Sequence, residues 1–261
     1  LSSAIKINNP LSSEFEYLRT RLLPGICESL AENEQKKDVV RLFELGKIYI
    51  PRSLTDLPDE RFSLVGAIMR KGSTEELFRE AKGVLERLSR LWFASSDALT
   101  FRPAVQAQYA KDKQTADVYL GEELVGFVGP AKRTLLQAFD IKTPTVLFHV
   151  DFEKILPLMT KAITFIPLPK YPSIERDIAC VVDKKHLYAD LAASARAVDP
   201  LIAEIGLLDI YEHEKIGKNR HSLTLRITYR SVDRTLQATE ADVAHQRVIE
   251  QLKSTFAVEI R

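Results

Sequence analysis

Cysteines and long apolar runs are scarce in this sequence. Its 261 residues include two cysteines, Cys27 and Cys180, too few and too far apart for the disulfide framework of a small secreted domain. No segment approaches the roughly 18 consecutive apolar residues that cross a membrane. The first residues also lack the basic and apolar runs of a secretory signal. We therefore expect a cytoplasmic protein with buried, reduced thiols and no membrane partner.

The signatures of autonomous catalysis are also missing. None of the ten glycines stands two residues from another, so no Gly-x-Gly loop for phosphate groups occurs, and no Gly-Lys-Ser/Thr sequence follows a glycine-rich turn. The five histidines show no metal-ligand spacing, and His213-Glu214 lacks the second histidine of a zinc-binding helix. No Gly-x-Ser-x-Gly elbow marks a nucleophile. The sequence predicts no catalytic, cofactor-binding or metal-binding residue.

What the sequence does contain is typical of a globular protein with two domains. Hydrophobic residues make up 45% of it and charged residues 28%, while the formal net charge is only +1. Such a chain can bury a sizeable core, but any affinity for nucleic acid requires a local basic patch. Four prolines between Pro157 and Pro172 disfavour a continuous helix there. We therefore place a boundary in this stretch, with domains at 1–165 and 170–261.

Residues 1–165 predict a buried antiparallel sheet with helices. Ser13 followed by Glu16 is a capping-box pattern, so a helix is expected to begin there and to break or bend at Pro24-Gly25. Branched and aromatic runs bounded by proline and glycine predict strands, and an apolar stripe after Ser73 predicts another helix. The strands are expected at 39–50, 61–69, 117–120, 124–128 and 145–152, and the stripe comprises Leu77, Ala81, Leu85, Leu88 and Trp92.

Residues 170–261 predict the element order βαββαβ. The strands are expected at 176–183, 207–211, 222–230 and 256–260, and the helices at 187–198 and 239–254. This order builds a four-stranded antiparallel sheet with both helices on one face, the ferredoxin-like arrangement, and leaves the other face free for a partner. The fold class of the whole chain is therefore expected to be α+β.

Alternation along these strands predicts which side chains occupy the free face. Successive strand residues point to opposite sides of a sheet, so Leu208, Ile210 and Leu223 are expected to face the helices. The intervening residues are expected on the free face: Asp177, Ala179, Val181, Asp209, Tyr211, Ser222, Thr224, Arg226, Thr228 and Arg230.

A basic segment borders this face and indicates an RNA site. Residues 215–234 contain six cations and one acidic residue, the cations being Lys215, Lys218, Arg220, Arg226, Arg230 and Arg234. Cations hold an RNA backbone, and an exposed ring such as that of Tyr211 stacks a splayed base. Asp209 can accept hydrogen bonds from guanine, and Ser222 adds a hydroxyl group. On pattern alone, a solvated sheet face with the same residues is an equal alternative.

Several motifs resemble one known family. The segments 171–179, 209–211, 218–230 and Arg234-Thr-Leu resemble the ferredoxin-fold anticodon-binding domain of phenylalanyl-tRNA synthetases. Upstream, the segments 9–14, 18–25 and 41–46 resemble the catalytic-like domain of the β subunit. The likeness spans nearly the whole chain. It departs at 101–119, where a His-Pro-Gly-Arg-like segment is expected and Arg102-Pro103-Ala104-Val105 stands instead.

The resemblance implies a division of labour between the two domains. Residues 1–165 would form a class II synthetase-like domain that has lost catalysis and supports the α subunit, within an (αβ)₂ heterotetramer that uses ATP and Mg²⁺ to charge tRNA-Phe. Residues 170–261 would bind the anticodon: Tyr211 would stack on its first base, a guanosine, and Asp209 and Ser222 would help to recognise it. The surrounding residues of that expected site are Ala179, Lys218, Arg220, Arg226 and Arg230.

Two other functions compete with this interpretation. The βαββαβ order also occurs in ACT-like regulatory domains that bind a free amino acid, but these need a glycine-containing turn after the first strand, and 183–186 contains none. Alternatively, the first domain is an independent synthetase-like ligase, which the missing phosphate loop disfavours.

Overall fold

The chain divides into two compact units, Leu1–Thr164 (unit 1) and Phe165–Arg261 (unit 2). A computed structural model describes residues 4–12, 16–52, 56–93, 98–104, 108–112, 114–159, 167–217 and 219–261. Within these ranges, no helix is both long and apolar enough to cross a membrane.

Unit 1 is built on a six-stranded sheet in which all neighbouring strands are antiparallel, as predicted. Its strands are β1 (Val39–Ile50), β2 (Asp59–Arg70), β3 (Leu99–Pro103), β4 (Ala116–Leu120), β5 (Glu123–Pro130) and β6 (Thr145–Asp151). Their spatial order is β1-β2-β6-β5-β4-β3. The hairpin predicted around Gly121 is confirmed as β4 and β5, and Gly121 has a φ of +62° that suits the tight turn. The described helices are α1 (Leu23–Glu34), α2 (Thr74–Phe93), α3 (Arg133–Ala138) and α4 (Phe152–Ile155).

Apolar side chains line both faces of this sheet. On one face, Leu77, Ala81 and Leu85 of α2 are fully buried in a core that includes Val146 and Val150 of β6, which confirms the stripe predicted for α2. On the other face, α1 packs against a second core that contains Leu147, which directly follows Val146 in β6. The pleat explains the arrangement, because successive residues of β6 point in opposite directions.

The helix predicted to start at Ser13 was wrong. Ser13 lies outside the described residues, and the next described part is extended: the Ile7 amide donates to the Glu16 carbonyl over 2.7 Å. Helix α1 instead begins at Leu23, and Pro24 occupies its first turn. Proline has no amide hydrogen to lose there and its fixed φ suits a helix start. The residue expected to break a helix therefore begins one.

In the segment 101–119, where the sequence departs from the family pattern, Arg102 joins the edge strand β3 to the β4–β5 hairpin. Arg102 of β3 donates two hydrogen bonds to the carboxylate of Glu122, of 3.0 and 2.9 Å. Its guanidinium group also lies 4.4 Å from the centroid of the Tyr119 ring. Val105 lies outside the described residues. The described part of this segment therefore fastens an edge strand.

Unit 2 has the predicted order βαββαβ. Its elements are β7 (Ile174–Asp183), α5 (Tyr188–Arg196), β8 (Ile202–Tyr211), β9 (Arg220–Tyr229), α6 (Ala238–Phe256) and β10 (Glu259–Ile260). The sheet order is β10-β7-β9-β8. Leu191 of α5 and Val248 of α6 share one core with Leu223 and Leu225 of β9, so both helices cover the same face. The last strand is shorter than predicted and β8 begins five residues earlier.

One orientation in β8 differs from the prediction. Leu208 was expected to face the helices, yet 48% of it is exposed. Leu207 pairs with Leu225 and Asp209 with the next residue, Thr224, so Leu208 is an extra residue in the ladder. Such a β-bulge turns its side chain out of the alternation. Leu207 and Ile210 pack against the core instead.

Candidate nucleic-acid interface

The strand register brings the predicted recognition residues together on the helix-free face of unit 2. Tyr211 and Ser222 are direct cross-strand partners, and Asp209 pairs with Thr224. On the other side of β9, Thr224 pairs with Ala179. Cross-strand partners point to the same face of a sheet. Asp209, Tyr211, Ser222 and Ala179 therefore form one patch across three strands, which we call the recognition patch.

Tyr211 ends β8 and presents its ring at the edge of this patch. The side chain is 47% exposed. Its ring lies nearly parallel to the imidazole of His213, with an interplanar angle of 9° and centroids 6.0 Å apart. The His213 ring is itself held, because its Nδ1 accepts a 3.2 Å hydrogen bond from the backbone amide of Lys215. The two rings form a short aromatic shelf that is open to solvent.

His213 was not predicted as part of this site. From the sequence, His213 was considered only as a metal ligand, a role for which it lacks a second histidine. The missed signal was its spacing, since residues two apart on an extended chain point to the same side. Tyr211 and His213 follow that rule at the end of β8.

Asp209 is the free carboxylate of the recognition patch. It is exposed, and it forms no hydrogen bond or ion pair with another described residue. Asp177 of β7, two residues from Ala179, differs from Asp209 because its carboxylate is already paired. Arg226 donates to both oxygens of Asp177 over 2.8 Å, and this pairing lowers the pKa of that carboxyl group. The carboxylate oxygens of Asp209 are therefore available to an outside donor, whereas those of Asp177 are occupied.

The recognition patch is partly covered at its Ser222 end. Ser222 is only 7% exposed and its partner Val181 only 2%, although both point away from the helices. The 3₁₀ turn Glu214–Ile216 lies against β9, and Ile216 is buried. Neither Val181 nor Ile216 belongs to the helix-side core. The loop between β8 and β9 thus closes this end of the patch, and the open surface is that of Tyr211 and Asp209.

Three of the five described cations of the basic segment are engaged within the protein. Arg226 binds Asp177 and also lies 3.5 Å from Glu175, and these acids raise its pKa. Arg220 pairs with Glu259 over 2.9 Å, and Arg234 with Glu240 over 2.8 Å. Lys218 lies outside the described residues. Among the described cations of the segment, Lys215 and Arg230 have no ion pair, and the Nε of Arg230 is buried without a hydrogen-bond partner.

The described residues show no metal centre. No three or more histidine, cysteine, aspartate or glutamate side chains in the described ranges are grouped to hold an ion.

Each unit of the chain matches a known protein family. Residues 1–152 match the family described as "Phenylalanyl tRNA synthetase beta chain CLM domain". The chain belongs to this family. Residues 169–261 match the "Ferredoxin-fold anticodon binding domain". The phenylalanyl-tRNA synthetase β-chain family thus accounts for unit 1 and its antiparallel sheet, and the ferredoxin-like fold predicted for unit 2 is confirmed.

Individual relatives cover nearly the whole chain and extend well beyond it. The phenylalanine–tRNA ligase β subunit of Geobacillus kaustophilus is 28% identical over 98% of this chain, which spans 33% of that protein. The Bacillus cereus β subunit is 30% identical over 97% of the chain, and the Clostridium tetani one 29% over all of it. A solved pyrrolysyl-tRNA synthetase from Desulfitobacterium hafniense overlaps 59% of this chain and 52% of its own, with a TM-score of 0.45 and 18% identity. The chain spans about a third of the length of the curated relatives it matches.

Proposed function

We propose that unit 2 binds the anticodon loop of tRNA-Phe through the recognition patch. The observation that carries this proposal is the exposed Tyr211 ring two residues along β8 from Asp209, whose carboxylate has no partner among the described residues. An aromatic face stacks a splayed base of any kind. A carboxylate with two free oxygens matches the adjacent imino and amino donors of guanine, which adenine does not offer. The patch therefore suits a guanosine stacked on Tyr211 and held by Asp209.

Ser222 and Ala179 have supporting parts in this proposal. Ser222 lies directly beside Tyr211, but it is nearly buried, so little of its surface is available to a bound base. Ala179 adds a small side chain to the floor of the patch, which lets a base approach the sheet closely.

The cations divide into two groups in this proposal. Lys215, Lys218 and Arg230 contact phosphates, because the described members of this group have no acidic partner. Arg220 and Arg226 instead tie β9 to its neighbours through Glu259 and Asp177. Ion pairs of this kind weaken a cation's attraction for phosphate, so binding depends on salt less steeply than the sequence count suggests.

We further propose that unit 1 supports a catalytic α subunit and does not itself activate an amino acid. The whole ligase would be an (αβ)₂ assembly in which ATP and Mg²⁺ act in the α subunit. A triphosphate needs several convergent cations. The cavity of unit 1 beside the start of α1 has Arg21 at its lining but also Asp117 and Asp151, a charge balance that suits ATP poorly. ATP–pyrophosphate exchange by the chain alone would contradict this assignment.

The test of the anticodon site is a titration of the full 261-residue chain with the tRNA-Phe anticodon stem–loop. Tyr211→Ala is expected to weaken binding by about 1–3 kcal/mol through loss of stacking, while Tyr211→Phe preserves it. Asp209→Asn should abolish the preference for guanosine over adenosine at the first anticodon base. Glu204→Gln is the matched control, since Glu204 is an exposed acid on the same strand and face. Unchanged binding in Tyr211→Ala and Asp209→Asn would refute the assignment.

A further inference from the structure

Unit 1 contains a cavity on the sheet face that carries α1. Its volume is about 460 Å³, within the range of small-molecule sites. Strands β1, β2, β4, β5 and β6 supply its walls together with the start of α1. Most of the lining is apolar and includes Leu22, Leu23, Ile48, Val65 and Phe127. The space has the size and surface of a pocket for a ring-sized apolar group.

One side of the cavity holds a neutral polar pair. The Nε2 of His149 and the Oγ of Ser63 are hydrogen-bonded over 3.1 Å. The imidazole also stacks on Phe127, with ring centroids 6.0 Å apart. Burial lowers the pKa of His149, so the ring is neutral at pH 7.5. The two side chains are thus bonded to each other and bring no positive charge into the cavity.

Two carboxyl groups line the same cavity. Asp151 is the direct cross-strand partner of Ser63, and its Oδ1 is buried without a hydrogen-bond partner among the described residues. Buried acceptors are rarely left unpaired in folded proteins. Asp117 lies on β4, and burial raises the pKa of its carboxyl group. This end of the cavity is therefore acidic, and no hydrogen-bond donor among the described residues reaches the buried oxygen of Asp151.

The neighbouring cations do not supply that donor. Arg61 lies close enough to Asp151 to be influenced by its charge, but it is paired with Asp59. Arg21 donates a hydrogen bond to the hydroxyl group of Tyr109 and lies over its ring. Neither guanidinium is hydrogen-bonded to Asp151 or Asp117. A bound molecule with a protonated amine would complete the arrangement.

We propose that this cavity binds a small primary amine with an apolar, ring-sized body, whose ammonium group donates to Asp151. The apolar body fills the space between α1 and Phe127, and Asp117 adds a second negative charge. The site consists of unit 1 residues alone, so it does not depend on the RNA-binding function of unit 2.

The experiment titrates the full chain with 2-phenylethylamine at pH 7.5 and follows amide shifts by NMR. Two probes share its ring and differ in charge: 2-phenylethanol is neutral, and 3-phenylpropionate is an anion. We expect saturable binding of the amine, at least tenfold tighter than binding of either analogue. Equal affinity for the amine and the alcohol would overturn the proposal, because it would indicate an apolar pocket without a role for the acids. Absence of saturable amine binding would overturn it as well.

The matched variants are Asp151→Asn and Asp140→Asn. The first keeps the shape of the side chain and removes its charge, so the affinity for the amine should fall at least tenfold, which corresponds to about 1.4 kcal/mol. Asp140 is exposed at the end of α3, and its substitution should change nothing. If Asp151→Asn does not fold, Asp117→Asn decides, with a loss of at least threefold expected. Unchanged affinity in the folded variant would refute the assignment.

Discussion

The two sheets of this chain are both antiparallel, but they differ in how many faces they bury. In unit 1, α1 and α2 cover opposite faces, so apolar residues line both sides of β2 and β6. In unit 2, α5 and α6 share one face, and the other carries the recognition patch. A sheet covered on both sides can offer a ligand only an internal cavity, whereas a sheet covered on one side can offer a surface to a macromolecule.

The carboxyl groups follow the same division. Asp151 of unit 1 has a buried oxygen inside the cavity, where a small cation would be held away from water. Asp209 of unit 2 is exposed beside Tyr211, where only a large partner can exclude water around it. The same chemical group therefore suits a small-molecule site in one unit and a base-recognition site in the other.

The largest expected effect distinguishes the two faces of the unit 2 sheet. Leu225 is fully buried against the helices, while Leu208 is turned outward by the bulge. Leu225→Ala should therefore lower the free energy of unfolding by about 2–5 kcal/mol through loss of packing and creation of a cavity. Leu208→Ala should change it by less than about 0.5 kcal/mol. Urea unfolding of both variants measures the contrast, and equal losses would show that the bulge assignment is wrong.

The bulge also shows where sequence reasoning stopped. Alternation correctly predicted the orientation of Leu223, Ser222 and Tyr211, because each lies in a regular stretch of ladder. The extra residue at Leu208 arises from the pairing of β8 with β9. Gly206 is the only glycine or proline in 202–211, and it does not lie at the bulge. Strand pattern therefore predicted the fold, whereas the local register required the structure.

The other differences between the sequence predictions and the structure also arise from tertiary contacts. Counting charges could not reveal that Arg226 is paired with Asp177, because that pairing depends on the register of β7 against β9. The near-burial of Ser222 depends on how the loop after β8 packs. At Pro24, two established preferences of proline compete, to end a helix or to begin one, and the sequence alone did not choose between them.

The second prediction uses the two thiols, since each unit contains one. Cys27 lies on α1 and Cys180 in the core of unit 2, and burial raises the pKa of each to about 11. Because the thiolate is the reactive form, both should react with a disulfide reagent at pH 8 at least ~100-fold more slowly than a free thiol near its usual pKa of about 8.5.

Variants with a single thiol measure the protection of the thiol in each unit separately. Cys27→Ala leaves a reporter in unit 2 and Cys180→Ala one in unit 1, so labelling in increasing urea follows the opening of each unit separately. Rapid labelling of either thiol without denaturant would contradict the burial on which the comparison of the two cores rests.

The third prediction concerns the salt dependence of anticodon binding. For a single-stranded ligand the logarithm of affinity falls by about 0.7 per phosphate contact for each tenfold rise in salt. Between 50 and 200 mM salt, two or three contacts from Lys215, Arg230 and Lys218 predict a loss of roughly 7- to 18-fold, against roughly 300-fold for six. Lys215→Gln should reduce the slope, while Arg220→Gln, which removes a cation paired with Glu259, should leave it unchanged. A loss of affinity near the roughly 300-fold expected for six contacts would show that the internal ion pairs open when RNA binds.

The smallest expected effect separates Asp177 from an unpaired carboxyl group. Hydrogen bonds and charge from Arg226 hold the pKa of Asp177 below its ordinary value of 3.8. Because the folded-state pKa is the lower one, the pair stabilises the fold above pH 4, and that contribution disappears as the pH falls through the pKa of the folded state. Both side chains are exposed, so the gain in stability is slight. Carboxyl-carbon NMR should show the titration of Asp177 shifting upward in Arg226→Gln, towards pH 4, with Arg234→Gln as the control that leaves it in place. An unchanged titration in Arg226→Gln would mean that Arg226 is not held by Asp177 in solution, and would return it to the cations available for phosphate.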